Sequence, residues 1–167
     1  PENAPIAGLP VAYILQQMAD FKSGARRSSV PQRAPVMLKA TLAKAITDDE
    51  LLTAARHFAA LIPQRLVRVV ETERVPRTQV AGWVLTPAPG SETESMAGRI
   101  IEVPDDLHQF ELRDPRARFT AYAPVGSVQR GAALAAGGPV PACAGCHGPD
   151  LKGLGAVPPI AGRSPSY

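Results

Sequence analysis

Aromatic residues supply only 5% of this 167-residue sequence, against 18 prolines and 14 glycines. A core built from side chains alone would be thin for that length, so something else must supply bulk. No apolar run approaches the roughly 18 residues that a membrane-crossing helix needs. No charged-then-apolar leader opens the chain, so any secretion signal has been removed or lies outside it. Lysine is scarce: 14 of the 18 basic residues are arginine, and 15 acids leave a net charge of +3. No basic run forms an arm, and the aromatics are not interleaved with basic residues, which excludes nucleic acid as a partner. A mildly basic surface can speed encounter with an acidic protein without identifying it. The two cysteines, Cys143 and Cys146, are too close for a framework disulfide and too few for a closed zinc site.

What is present is globular in character, with 45% apolar and 20% charged residues, and the length suits one ordinary domain or two small ones. Residues 1–63 read as helical. Pro10 can open a helix and Gly24 can end it, with Ile14, Leu15, Met18 and Phe21 at helical spacing between them. Pro31 and Pro35 predict an irregular stretch around Met37. Thr47-Asp48-Asp49-Glu50 is a capping-box pattern that opens a helix ending near Pro63. Residues 64–123 change character. Val67, Val69 and Val70, then 78–85, then Ile100, Ile101 and Val103, read as short extended pieces, and 110–122 as a further irregular one. Scattered prolines predict a long connection that wraps something, not an independent sheet domain. From Pro124 a short helix capped by Ser127 and ended by Gly137-Gly138 runs to Cys143-Ala144-Gly145-Cys146-His147, and a Gly/Pro loop completes the chain.

A repeat joins the two ends. Residues 4–13 and 158–167 agree at five of ten positions, Pro5/Pro159, Ile6/Ile160, Ala7/Ala161, Gly8/Gly162 and Tyr13/Tyr167, at an offset of 154.

Cys-x-x-Cys-His is the attachment pattern of c-type haem. Two thiols on one helical turn can each form a thioether to a haem vinyl group, and the adjacent histidine supplies an axial nitrogen to the iron. Zinc would want four ligands, and His57 and His108 stand far off in sequence. A thioredoxin-like dithiol needs a strand before it and a helix after, whereas here a helix precedes and a loop follows.

The context resembles class I cytochromes c, and more closely the tandem two-haem cytochromes of the bacterial periplasm. The helix before the motif, the Gly/Pro loop after it and Pro158-Pro159-Ile160-Ala161-Gly162 carry the likeness at one end. Pro5-Ile6-Ala7-Gly8, the helix through Phe21-Lys22-Ser23-Gly24, a methionine and a capped last helix carry it at the other. The resemblance covers 107 of the 167 residues, 1–63 and 124–167. It implies a mainly α fold of cytochrome c-like domains: 1–63 as the C-terminal half of one, 64–123 as a connection with short extended pieces, and 124–167 as the N-terminal half of the next. It implies that Pro158 offers its carbonyl to His147, that Met37 is the sixth ligand from its loop, and that Gly131 sits where terminal helices cross. The repeat implies complete tandem copies, preferred to an exchange of His147 and Met37 between molecules. His57 reads as a surface residue, Trp83 and Tyr122 as packing, Met18 and Met96 as packing or surface, and Asp150 as a turn residue.

The expected cofactor is haem c with iron, held by Cys143, Cys146, His147, Pro158 and Met37, with His147 and Met37 on the metal. The expected role is electron transfer in the periplasm, soluble or attached to a membrane complex. Its partners are redox proteins: a donor dehydrogenase or quinol-side complex, and an acceptor oxidase or another cytochrome. No acid, base or nucleophile constellation marks an enzyme. The alternatives are a cytochrome subunit of a dehydrogenase complex, a haem with an open axial position as in peroxidases or gas sensors, and a metal or dithiol module without haem.

Overall fold

The computed structural model describes residues 5–28, 34–81, 84–138 and 141–165. Pro31, Trp83 and Tyr167 lie outside them. The Cα packing divides the chain into two compact units. One holds Gln64–Gly145 together with Pro1–Pro5 and Ile160–Tyr167, and the other holds Ile6–Pro63 together with Cys146–Pro159.

The second unit is helical. Helix α1 (Val11–Ser23) starts after Pro10 and stops at Gly24, whose φ of 79° is the left-handed conformation glycine adopts without strain. Helix α2 spans Ala34–Ala45 and helix α3 Asp48–Ala60. At α3 the capping box forms in full: Glu50 N–H donates to Thr47 Oγ1, and Thr47 N–H donates to the Glu50 carboxylate. Both α2 and α3 pack on α1. The only buried apolar residues described in this unit are Ala43 and Ala55, while Met37, Leu38 and Leu42 are 57%, 68% and 56% exposed.

Met37 departs from its expected setting. It lies in the first turn of α2 and not in an irregular loop. Pro35 stands at the second residue of that helix, where its missing N–H has no partner to lose, so the proline opens the helix instead of blocking it.

The first unit overturns the mainly α expectation. The described chain is 38% helical with 20% strand in three sheets. Strands β1 (Val67–Glu71), β6 (Ile101–Pro104) and β7 (Phe119–Ala123) form a sheet in the order β1-β7-β6, with β1 parallel and β6 antiparallel to β7. Two antiparallel pairs accompany it: β2 (Arg74–Pro76) with β5 (Thr93–Ser95), and β3 (Thr78–Ala81) with β4 (Val84–Pro87). Val75, Met96, Ile101 and Val103 form a buried cluster with Leu85 and Tyr122 against it. The β-branched runs that read as a wrapping connection thus pair with each other and close a core. Their prolines are tolerated because Pro76, Pro87 and Pro104 each stand at a strand's last residue.

The same unit carries helix α4 (Leu107–Glu111) and helix α5 (Ser127–Ala136). The N-cap of α5 is Gly126, one residue before the serine expected there. The cap comes instead from Glu71 at the end of β1, whose carboxylate accepts from Val128 N–H at 2.7 Å. Among the described residues nothing stands within 4 Å of where a Cβ on Gly131 would be. Ser164 is held at the other end of the unit, donating its hydroxyl to the Glu102 carboxylate on β6 at 2.6 Å.

The sequence repeat is also a repeat of conformation. In Ile6–Leu9, Leu9 N–H donates to Ile6 C=O at 3.2 Å and Gly8 has φ 70°. In Ile160–Arg163, Arg163 N–H donates to Ile160 C=O at 3.3 Å and Gly162 has φ 75°. Both are four-residue turns with glycine at the third position, the one that requires positive φ in a type II turn.

Candidate functional site

After α5 the chain turns through Gly137 and reaches a single helical turn, α6 (Ala144–His147). Cys143 stands just ahead of that turn, half-buried, and Cys146 within it is exposed; both are free thiols. Their three-residue spacing is that of the c-type attachment pattern.

The loop that follows is tied back to the histidine at two points. Gly153 N–H donates to His147 C=O at 2.8 Å. The His147 ring then meets Pro158 C=O through Nδ1 at 2.7 Å. A carbonyl can only accept, so Nδ1 carries the hydrogen, and in the neutral ring Nε2 is the nitrogen with the lone pair. That bond fixes both tautomer and ring direction, which is the arrangement of a metal-ligating histidine. The partnership of Pro158 with His147, implied by the resemblance, is therefore present in the geometry.

Two glycines that the sequence reading did not single out make this loop possible. Gly153 has φ 92°, and a Cβ there would stand 2.8 Å from Val157 O, 3.0 Å from Pro159 N and 3.2 Å from Pro158 C. Gly148, buried and with φ 80°, would meet Gly153 O at 3.3 Å. The neighbours are backbone, so they cannot swing away as a side chain would. The signal was in the sequence only as a glycine-rich stretch; which glycines are obligatory depends on strands of loop passing within contact distance.

Met37 shares a compact unit with Cys146, His147 and Pro158. Around α2, at 100° per residue, Met37, Leu38 and Leu42 fall within an arc of about 140°, and buried Ala43 lies on the opposite side. Other expected positions behave as ordinary structure. His57 is exposed on α3 and meets Phe58 edge-on. Asp150 lies in a turn beside Lys152. Met96 is core of the sheet unit, at 2% exposure. Met18 is half-buried in α1.

The residue types suit a c-type haem: two free thiols three residues apart, an imidazole held through Nδ1, and a helix with an exposed thioether sulfur at Met37. Among the described residues no group of three or more His, Cys, Asp or Glu gathers, and such a haem does not call for one. No described helix is long and apolar enough to cross a membrane. No protein-family model, no curated protein and no solved structure matches the chain.

Proposed function

We propose that this chain is an electron-transfer protein carrying haem c, bound through thioethers at Cys143 and Cys146 with His147 Nε2 on the iron. The observation that carries the reading is the 2.7 Å bond between His147 Nδ1 and Pro158 C=O, because it directs and makes more basic a ring whose other nitrogen is free to ligate. When bound, the haem supplies a ferric/ferrous couple that takes up and releases one electron. The chain's own residues anchor it, orient the axial ring and limit its contact with water. Met37 is the candidate sixth ligand, and a thioether there raises the reduction potential. The resemblance to tandem periplasmic cytochromes supports a location outside the bacterial cytoplasm and partners of two kinds, a donor dehydrogenase or quinol-side complex and an acceptor oxidase or cytochrome.

A second reading, a cytochrome subunit that receives electrons from a dehydrogenase, draws on Val69 of β1 and Val80 of β3, which are 50% and 74% exposed. Apolar strand residues turned to solvent suit a permanent partner. The two readings part on isolation from the native source: a subunit copurifies with its dehydrogenase and a carrier does not.

The test is production of the chain in a bacterial periplasm with the c-type maturation machinery. A pyridine haemochrome spectrum of thioether type, with a haem mass increment on the peptide around Cys143 and Cys146, is the expected result. Absence of covalent haem, or haem that survives replacement of both cysteines by alanine, defeats the proposal.

A further inference from the structure

We infer that strand β1 is a pairing edge through which two copies of this chain join, antiparallel, into one continuous sheet. The inference is independent of the haem and rests on the sheet unit alone.

The sheet runs β1-β7-β6, so β1 and β6 are its edges. β6 is closed off, since all four of its residues are buried. β1 is open: Arg68, Val69 and Glu71 are exposed, and no other described strand pairs with it. Two bonds of the parallel ladder fix which way its backbone points. Phe119 N–H donates to Leu66 C=O at 2.8 Å, and Thr72 N–H donates to Ala123 C=O at 2.9 Å. Alternate residues of a strand bond to the same neighbour, so 66, 68, 70 and 72 face β7. The N–H and C=O groups of Val67, Val69 and Glu71 therefore point outward. Open edges are usually blunted by proline, lysine or a bulge. Val67–Glu71 has neither proline nor lysine, and its register against β7 runs without a bulge. Its one cation is turned inward, Arg68 Nη2 donating to Thr120 Oγ1 on β7 at 2.9 Å.

The order of charges selects the occupant. From Arg65 the sequence reads Arg-Leu-Val-Arg-Val-Val-Glu-Thr-Glu, basic in its first half and acidic in its second. A second copy laid antiparallel about Val69 sets Val69 against Val69 and Val67 against Glu71, pairs whose outward groups exchange hydrogen bonds. On the same face it brings Arg65 opposite Glu73 and diagonal to Glu71, once on each side of the two-fold axis. Parallel stacking of two copies would oppose like charges instead.

The experiment measures the mass of the whole chain in solution by light scattering over a range of concentrations at low salt. The expected species has twice the 17.6 kDa of one chain, apart from any attached haem. Val69→Pro removes an outward N–H that β7 does not use, and should give a monomer with unchanged amide protection in β6 and β7. Arg65→Glu sets glutamate against glutamate and should weaken association by about tenfold. Arg65→Glu/Glu73→Arg should restore it, while Val80→Lys on β3 should change nothing. Glu71 is left intact because it caps α5. Should Val69→Pro fail to fold, the charge reversals decide alone. A chain that stays monomeric up to its solubility limit overturns the inference. So does a dimer indifferent to Arg65→Glu, or a double variant no more dimeric than Arg65→Glu. Haem content is read separately, so its absence defeats the haem reading and leaves this one standing.

Discussion

Replacing Gly153 by alanine tests whether the loop after the motif is held as the structure has it. The new Cβ would stand 2.8 Å from Val157 O, 3.0 Å from Pro159 N and 3.2 Å from Pro158 C, at a φ of 92°. Positive φ costs an L residue about 1–2 kcal/mol, and forcing a methyl into filled space costs about 1–3 kcal/mol. Gly155→Ala in the same loop separates these contributions, since its φ is 58° but nothing lies within 4 Å of its Cβ. We therefore expect Gly155→Ala to cost about 1–2 kcal/mol and Gly153→Ala about 2–5 kcal/mol, both read from urea unfolding of the matured protein. Because the clash falls on Val157, Pro159 and Pro158 itself, Gly153→Ala should also lengthen the bond from His147 Nδ1 to Pro158 C=O. Loss of such a partner weakens a metal site by about 10- to 100-fold. A rise in reduction potential is then expected in Gly153→Ala and not in Gly155→Ala, because an imidazole without that partner donates less to ferric iron. Equal unfolding midpoints with unchanged potentials would refute the reasoning.

Thr86 on β4 is 3% exposed, and its buried hydroxyl has no hydrogen-bond partner among the described residues. Thr86→Val keeps the shape and removes the orphan, which should raise stability by about 1 kcal/mol and the melting temperature by roughly 2–4 °C; a lower melting temperature counts against it. At α3, the Thr47 backbone N–H, and then its hydroxyl, hold the Glu50 carboxyl below its ordinary pKa. A lowered folded-state pKa means stability that is present above the ordinary carboxylate value and lost as pH falls through the lower one. Helical circular dichroism should therefore decline on acidification below about pH 4, with less dependence on pH in Glu50→Gln, and identical acid profiles would show that the box contributes nothing. Finally, Cys143→Ala/Cys146→Ala should lose amide protection in α1–α3 while β1, β6 and β7 keep theirs. Equal protection of α1–α3 with and without covalent haem would contradict a core completed by the cofactor.

What was legible in the sequence was local. Pro10 and Gly24 bound α1 because each acts through its own backbone, and Thr47 with Glu50 opens α3 because the cap closes over three residues. The His147–Pro158 bond was legible through a motif whose span is one loop. The sheet was not. β1 pairs with β7 in parallel, as Val67 opposite Phe119 through Glu71 opposite Ala123, and the Arg68–Thr120 hydrogen bond that accompanies it spans 52 residues. Each strand is only three to five residues long, so no periodicity marks it. Pairing across such a span depends on what the intervening chain does. Helix α2 escaped for the opposite reason: two prolines close together read as breakers, although one at a helix start costs nothing. Gly131 fitted a crossing by sequence position alone, and the described residues leave the space around it open.

The scarcity of aromatic residues bears differently on the two units. Of the ten buried apolar residues among those described, eight belong to the sheet unit, and they include Val75, Met96, Ile101, Val103 and Phe119. The helical unit has two, both alanine. Fully burying a leucine or methionine side chain contributes about 1.5–3 kcal/mol, and alanine far less. Three helices that leave Met37, Leu38 and Leu42 more than half exposed forgo most of that stabilisation. The sheet unit thus closes its core on larger side chains than the helical unit does. Cys146 and the oriented imidazole of His147 belong to this helical unit, and Cys143 to the sheet unit. The proposed haem, if carried on His147, would offer the exposed Met37, Leu38 and Leu42 an apolar partner that the described side chains do not.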